Sequence, residues 1–240
     1  MARFRDDEVD PVDELDELLT EDEILLEEQE LEKLDKARPT RLQRAGGAPR
    51  PFSWLLVAAG LVGMWASVEL VRAELVWRED PLAALGCDIN PVIGCSTFLG
   101  TPQGSLFLDI PNALLGTAAF GTLVGVGLMF AAGGRVRRWL WWVLSGVVLA
   151  GLLLVVWLVH QSVTVLGSLC PYCVVTWLVV IVVAVHLLAR AAQAGHLPVT
   201  ERLARTLVTE RWLIVAGAYA MLLVIAIVAF WDKWLLVFGL

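Results

Sequence analysis

Five long apolar windows constrain the fold of this chain more than any other feature of its sequence. They lie at about 52–71, 113–132, 139–159, 171–189 and 212–231. Each can cross the roughly 30 Å hydrocarbon layer of a bilayer, which needs about 20 helical residues. The second, third and fifth contain no charged residue, and the first contains only Glu69. As five such helices in a soluble core would leave too little polar chain to cover them, the sequence predicts an all-α integral membrane protein in a lipid bilayer.

The arginines indicate how these spans are oriented, because Lys and Arg near span ends favour the cytoplasmic side. Three basic groups fall on one side of a five-span fold: Arg38, Arg41, Arg44 and Arg50; Arg135, Arg137 and Arg138; and Arg190, Arg202, Arg205 and Arg211. The other side has only Arg72, Arg78 and Lys233. We therefore expect a multi-pass protein of the cell membrane with a cytoplasmic N-terminus. The loop at 72–112 and the turn at 160–170 then face outward.

The segments outside the spans differ in character. Residues 1–36 hold 16 of the 25 acidic residues, which predicts a solvated cytoplasmic tail or, alternatively, a docking helix for a partner. Residues 37–51 combine Pro, Gly and Arg and are expected to form a flexible basic linker. Residues 191–240 are expected to contain a cytoplasmic amphipathic helix, at 198–211, and the fifth span. The N-terminus does not resemble a signal peptide, so the first span is expected to be an uncleaved anchor.

All four cysteines are predicted to lie on the outer side or at its boundary. Cys87 and Cys95 belong to the long loop, and Cys170 and Cys173 lie beside the fourth span. Disulfides persist on the outer face of a plasma membrane, so two structural bridges are one interpretation. A zinc site is a second, although the seven residues between Cys87 and Cys95 exceed the usual spacing of two to four. Redox exchange, with no bound metal, is the third.

The segment Cys170-Pro171-Tyr172-Cys173 favours redox exchange. A disulfide within C-x-x-C closes a very short loop and constrains the unfolded chain little, so it is a poor structural staple. Pro171 suits the first turn of a helix, which places Cys170 near the N-cap and Cys173 near the third position. The helix dipole there stabilises a thiolate, the attacking form of cysteine, although apolar burial opposes that effect.

Taken together, the motifs resemble the vitamin K epoxide reductase family, specifically its bacterial members. That family has a cysteine pair with seven intervening residues after the first span, an asparagine near the start of the second span, and C-x-x-C at the fourth. The corresponding segments here are CDINPVIGC at 87–95, PNALLG at 111–116 and CPYC at 170–173. Their order, spacing and span positions match over roughly residues 52–190.

The resemblance implies a four-helix transmembrane bundle around a quinone over residues 52–190, with a fifth transmembrane helix beyond it. The quinone would be menaquinone or ubiquinone. Cys87 and Cys95 would be the shuttle pair, and Cys170 and Cys173 the pair next to the quinone, with Cys173 reducing the ring. Asn112 resembles the family asparagine whose amide hydrogen-bonds a quinone carbonyl; a helix cap is its alternative role.

Two candidate quinone-binding residues differ from the family pattern. Thr101 stands where the family usually has serine, six residues after the second loop cysteine, and it keeps the hydroxyl. Trp177 stands where a tyrosine often follows the C-x-x-C motif. Its indole can pack on a quinone and donate from N–H, but it lacks a phenolic oxygen, which argues against epoxide reduction.

The function expected from the sequence is quinone-dependent thiol oxidation that makes disulfides on the extracytoplasmic side. No thioredoxin-like domain follows the fifth span, so the expected partner is a separate thioredoxin-fold (DsbA-like) dithiol oxidase; nucleic acid is not an expected partner. The alternative is a membrane scaffold or transporter whose disulfides are structural. A third hypothesis keeps the enzyme but reverses the flow of electrons, because direction depends on the potentials of the partner and the quinone pool.

Overall fold

The computed structural model describes residues 37–90 and 92–238, together with Glu23, Leu26 and Asp35. The predictions for the acidic tail at 1–36 therefore lie almost wholly outside the described residues. The described part contains α-helices and no strands, apart from two isolated bridges. The helices are α1 (Arg41–Arg44), α2 (Arg50–Glu79), α3 (Asn112–Ala131), α4 (Arg138–Gln161), α5 (Pro171–Gln193), α6 (Glu201–Thr209), α7 (Arg211–Ala229) and α8 (Trp231–Phe238).

Five of these helices are long and apolar enough to cross a membrane, which confirms the predicted all-α membrane fold. They are α2, α3, α4 with the π-helical turn Ser162–Leu166 that continues it, α5 and α7. Each coincides with one of the apolar windows, but α2 continues past the predicted end at residue 71 to Glu79. Two ion pairs at helical spacing, Glu69 with Arg72 and Glu74 with Arg78, support this polar extension.

Helix α5 lies at the centre of the helix packing. It contacts α2, α4, α6 and α7, and α2 also packs along α3. The main core contains Phe52, Leu56, Phe120, Trp141 and Leu187. Small residues let α2 and α3 approach closely, since a Cβ atom at Gly63 would lie 2.5 Å from the Phe120 ring. The additional helix α7 is joined to α5 by a hydrogen bond of 2.8 Å from the Tyr219 hydroxyl to the Leu178 carbonyl.

Residues 37–51 differ from the flexible linker expected from their Pro and Gly content. A capping box between Thr40 and Gln43 starts α1, and the Gln43 side chain is buried. The Gly46 carbonyl accepts hydrogen bonds from the Val136 backbone at 3.1 Å and the Trp141 indole at 3.3 Å. Gly46 has a φ of 84°, and a Cβ atom there would lie 2.0 Å from the Val136 carbonyl oxygen. The segment is thus fastened to the bundle by contacts distant in sequence.

Helix α6 confirms the helix predicted within residues 198–211. Thr200 caps its N-terminus by accepting a hydrogen bond from the Leu203 backbone at 3.4 Å. Val208 is buried, and α6 packs on both α5 and α7. The segment between the fourth and fifth membrane-length helices is therefore structured.

Candidate active site

The first part of the site is the loop that carries Cys87 and Cys95. These residues form a disulfide with a Cα separation of 5.7 Å. The Asp88 carboxylate accepts hydrogen bonds from the backbone N–H groups of Cys95 at 2.6 Å and Ser96 at 3.1 Å. The Asn90 side chain closes a turn by accepting from the next two described backbone N–H groups, at 2.9 Å each. Two short polar side chains therefore fix the conformation of the disulfide loop.

This loop docks on the segment that precedes α5. The Gly94 N–H donates to the Leu169 carbonyl at 3.0 Å, and the Leu169 N–H donates to the Val92 carbonyl at 2.7 Å. The pair forms an isolated parallel bridge between Ile93 and Leu169. A hydrogen bond between the Thr97 and Ser168 hydroxyls adds a side-chain contact. Because Cys95 and Cys170 directly follow the bridged stretches, this register brings them together.

The central contact of the site joins the two cysteine pairs. The Cys170 sulfur lies 3.6 Å from the Cys95 sulfur, and both residues are fully buried. Leu85, Phe98 and Leu99 surround them in a second hydrophobic core. Cys170 and Cys173 are free thiols, while Cys95 is bonded to Cys87. The arrangement places a thiol against a disulfide sulfur in a site shielded from water, so the two reacting atoms of a thiol–disulfide exchange are in contact.

Cys170 is the N-cap of α5, and Pro171 occupies the first turn, as predicted from the C-x-x-C segment. The Cys170 sulfur accepts a hydrogen bond from the Cys173 backbone at 3.4 Å. The Cys173 thiol, followed by the backbone N–H groups of Cys173 and Tyr172, lowers the pKa of Cys170 below its ordinary value. Burial and the Asp88 carboxylate oppose this effect. These hydrogen bonds therefore favour the thiolate form of Cys170.

The three candidate quinone-binding residues have different surroundings. Asn112 is the first residue of α3; its side chain accepts from the Leu106 N–H at 3.1 Å and donates to the Gln103 carbonyl at 2.8 Å. Thr101 donates its hydroxyl to the Phe98 carbonyl at 2.7 Å. Trp177 is buried in α5, one turn from Cys173, and its indole N–H has no acceptor.

Trp177 provides the test of whether this site fits a quinone. A buried donor without an acceptor is costly, and a quinone carbonyl is an acceptor of suitable chemistry. Asn112 keeps a second amide N–H for the same purpose, whereas the Thr101 proton is already used within the loop. The chemistry of Trp177 and Asn112 thus fits a quinone, and the hydrogen bonds of Thr101 favour a role in loop structure.

Two residues with clear contacts in the site were missed by the sequence interpretation. In the sequence Asp88 is only a carboxylate within the long loop, but in the structure its carboxylate organises the backbone at Cys95. No local motif predicts this contact, because the N–H groups it binds lie seven and eight residues later. Lys233, from α8, donates to the Gly167 carbonyl at the turn before Cys170. Only the fold of the C-terminal segment reveals that contact.

In the described part of the chain, no group of three or more His, Cys, Asp or Glu side chains is arranged to hold a metal ion.

Comparison with known proteins identifies the family of the chain. None of the curated proteins compared with the chain matches it. The family described as "Vitamin K epoxide reductase family" matches residues 54–188, which is more than half of the chain and includes all four cysteines. The chain therefore belongs to the vitamin K epoxide reductase family of membrane oxidoreductases, as the cysteine motifs predict.

Proposed function

We propose that this protein is a quinone-dependent thiol oxidase that reoxidises a separate thioredoxin-fold dithiol protein on the extracytoplasmic side of the cell membrane. The observation that carries the proposal is the 3.6 Å contact between the sulfurs of Cys170 and Cys95. This contact joins the loop disulfide and the thiols of α5 into one continuous group of sulfur atoms. Structural staples would not need this contact, and the free state of Cys170 and Cys173 disfavours a pair of staples.

The proposed exchange within the chain has two steps. The Cys95 thiolate attacks the Cys170 sulfur of a Cys170–Cys173 disulfide, so that a Cys95–Cys170 bond forms and Cys173 leaves as a thiolate. Cys87 then attacks Cys95, the Cys87–Cys95 bond forms, and Cys170 leaves. Two electrons have thus moved from the loop pair to the α5 pair. The lowered pKa of Cys170 makes it a good leaving group in the second step.

The redox state in the structure corresponds to the product of this transfer. The loop pair is oxidised and the α5 pair is reduced. A reduced thioredoxin-fold partner would restart the cycle by attacking the Cys87–Cys95 disulfide. Because Cys87 and Cys95 are both buried, we expect the loop to undock from Leu169 before the partner reaches them.

A quinone, when bound, would accept two electrons and two protons, and we propose that Trp177 and Asn112 would hold its carbonyl oxygens. Trp177 would donate its free indole N–H, and Asn112 its second amide N–H. We assign Cys173 to the quinone-facing role because it lies inside α5, whereas Cys170 caps the helix and faces the loop. Thr101 would act indirectly, by holding the loop backbone at Phe98.

The test is oxidation of a reduced thioredoxin-fold protein by the purified chain with menaquinone or ubiquinone. We expect turnover only when a quinone is present, and accumulation of reduced thiols in the chain when it is absent. Cys173→Ala should abolish turnover and accumulate a Cys95–Cys170 disulfide, formed when the Cys170 thiolate attacks Cys95 of the loop disulfide and Cys87 leaves; non-reducing peptide mapping detects it. The proposal fails if all four cysteines stay oxidised with the reduced protein in excess, or if Cys173→Ala retains turnover.

A further inference from the structure

The end of the bundle opposite the cysteines contains a basic cavity that the redox function does not use. Its volume is about 360 Å³. It lies between the turn after α1, the N-terminus of α4 and the turn after α5, and Arg44, Arg137, Arg138 and His196 contribute to its walls. We call this space the basic cavity. Its walls come from residues 37–51, which were expected to form a linker, and from the short connections before α4 and after α5.

The walls of the basic cavity are positively charged and lack compensating carboxylates. None of its lining residues is acidic. The ion pairs of the described residues involve other arginines, such as Arg205 with Asp35 at 3.3 Å. Among the described residues no carboxylate pairs with Arg44, Arg137 or Arg138, and arginines in a cavity wall favour an anion because a guanidinium can donate several hydrogen bonds from a rigid fork.

Helix α4 adds backbone donors to this cavity. Arg137 is its N-cap residue and makes no side-chain capping bond. The first backbone N–H groups of a helix have no intrahelical acceptor and carry the positive end of the helix dipole. With Arg137 and Arg138 lining the cavity, the free end of α4 lies at its wall. Helix N-termini of this kind bind phosphate groups in many proteins.

His196 is a buried residue among those that line the cavity. Its side chain is buried, at 6% exposure, and its Nε2 atom has no hydrogen-bond partner. The His196 ring stacks on Trp141 with a centroid distance of 5.5 Å, and the His196 backbone carbonyl accepts a hydrogen bond from Arg138 Nε at 3.3 Å. The imidazole is thus held firmly next to the cavity, and its Nε2 is an unsatisfied buried atom. Buried polar atoms in native proteins normally have a partner.

We propose that the basic cavity binds a phosphate group, presented by an anionic phospholipid headgroup or as free phosphate. A tetrahedral phosphate offers enough oxygens to contact three guanidinium groups and a helix N-terminus at once, whereas a carboxylate offers two. Exposed indoles of Trp54, Trp139, Trp142 and Trp212 surround this end of the bundle. Such indoles mark the headgroup level of a bilayer, where basic pockets between helices bind anionic lipids.

The proposal is tested with the purified full-length chain and two probes, phosphatidylglycerol and inorganic phosphate. Lipid retention is measured by native mass spectrometry against phosphatidylcholine, and phosphate binding by titration calorimetry. Arg44→Gln combined with Arg137→Gln should weaken binding of the preferred probe about tenfold or more, since two charge-assisted contacts are lost. The matched control, Arg202→Gln with Arg211→Gln, removes two charges from the same end of the bundle but not from the cavity.

The two arms of the experiment distinguish the sources of the phosphate. Saturable binding of inorganic phosphate that depends on Arg44 and Arg137 indicates a site for free phosphate. Arginine-dependent retention of phosphatidylglycerol alone indicates a lipid site. Equal effects of the two double variants, or no binding of either probe, overturn the proposal. If thermal melting shows that the double variant does not fold, Arg137→Gln alone replaces it, with Arg202→Gln as control. These measurements do not involve the cysteines, so they are independent of the proposed function.

Discussion

Cys170 and Cys173 are chemically different although they share one motif. Cys170 caps α5, touches the loop disulfide and receives hydrogen bonds that favour its thiolate. Cys173 lies inside the helix and donates to Cys170 through both its backbone and its thiol. Of the two thiols, only Cys170 contacts the loop disulfide, which supports the proposed assignment of Cys170 to exchange with the loop and of Cys173 to the quinone. The difference arises from helix capping and needs no charged side chain.

The hydrogen bond from the Cys173 thiol predicts a change in the pH dependence of Cys170 reactivity. In a Cys87→Ala/Cys95→Ala chain, Cys173→Ala should shift the pH profile of Cys170 alkylation to higher pH. The reason is that the pKa of Cys170 is lowered mainly by that thiol, and removing the donor raises it again. Cys173→Ser keeps a donor and should shift the profile less. Alkylation followed by mass mapping measures the effect; coincident Ala and Ser profiles would contradict the assignment.

Trp177 predicts a larger response in quinone affinity than in stability. Trp177→Phe removes a buried N–H that has no acceptor, which offsets part of the stability lost with the cavity that the smaller ring leaves. The KM for quinone should rise about two- to tenfold, because a net hydrogen bond contributes roughly 0.5–1.5 kcal/mol. Asn112→Ala is the informative comparison: it also removes two hydrogen bonds to the 103–106 loop, so it should lower the melting temperature as well. An unchanged KM in Trp177→Phe would leave Trp177 a packing residue.

At the scale of elements, the site depends on one short backbone pairing between the loop and the start of α5. Gly94 is central to it, since its N–H bonds to Leu169 while its α-carbon lies close to Asp88. A Cβ atom at Gly94 would lie 2.8 Å from the Asp88 carboxylate oxygen. That oxygen cannot retreat without weakening its hydrogen bonds to Cys95 and Ser96. The backbone pairing of the loop with Leu169 and the position of the Cys87–Cys95 disulfide are thus coupled through the Asp88 side chain.

This coupling predicts different effects of alanine at two glycines of the same loop. In a Cys87→Ala/Cys173→Ala chain, only Cys95 and Cys170 remain, and mild oxidation should join them because they are already in contact. Gly94→Ala should slow that reaction severalfold. Gly86→Ala should not, because a Cβ atom there meets nothing within 4 Å. Disulfide formation is followed by gel mobility, and equal rates in the two variants would show that the docking does not depend on Asp88.

The sequence predicts those elements whose determinants are local. The five membrane-length helices follow from the length of the apolar runs, and the cap at Cys170 follows from Pro171 in the next position. The contact between Cys95 and Cys170 could not be predicted from local patterns, because it arises from pairing of segments far apart in the chain. The order in residues 37–51 was not predictable either, since Gly46 bonds to Val136 and Trp141. The contacts of Asp88 and Lys233 were not predictable for the same reason, since their partners are also distant in sequence.

At the scale of the whole molecule, the two ends of the bundle carry different chemistry. The cysteines cluster where α2 ends and α5 begins, and the arginine groups cluster where α2 begins and α5 ends. The exposed tryptophans at the arginine end fit an interface with lipid headgroups. This separation suits the proposed function, in which thiol exchange takes place on one side of the membrane and the basic end faces the other.

The orientation is tested by cysteines placed at the two ends of a chain in which the four natural cysteines are replaced by Ala. Leu82→Cys adds a reporter next to the active site at a residue that is 94% exposed, and Arg202→Cys adds one on α6. In intact cells, a membrane-impermeant maleimide should label the first and not the second, because the basic end is expected to be cytoplasmic. Permeabilised cells should label both, which is the control for accessibility. Labelling of Arg202→Cys alone in intact cells would reverse the topology and place disulfide exchange in the cytoplasm, where thiols are kept reduced and the proposed function would have no use.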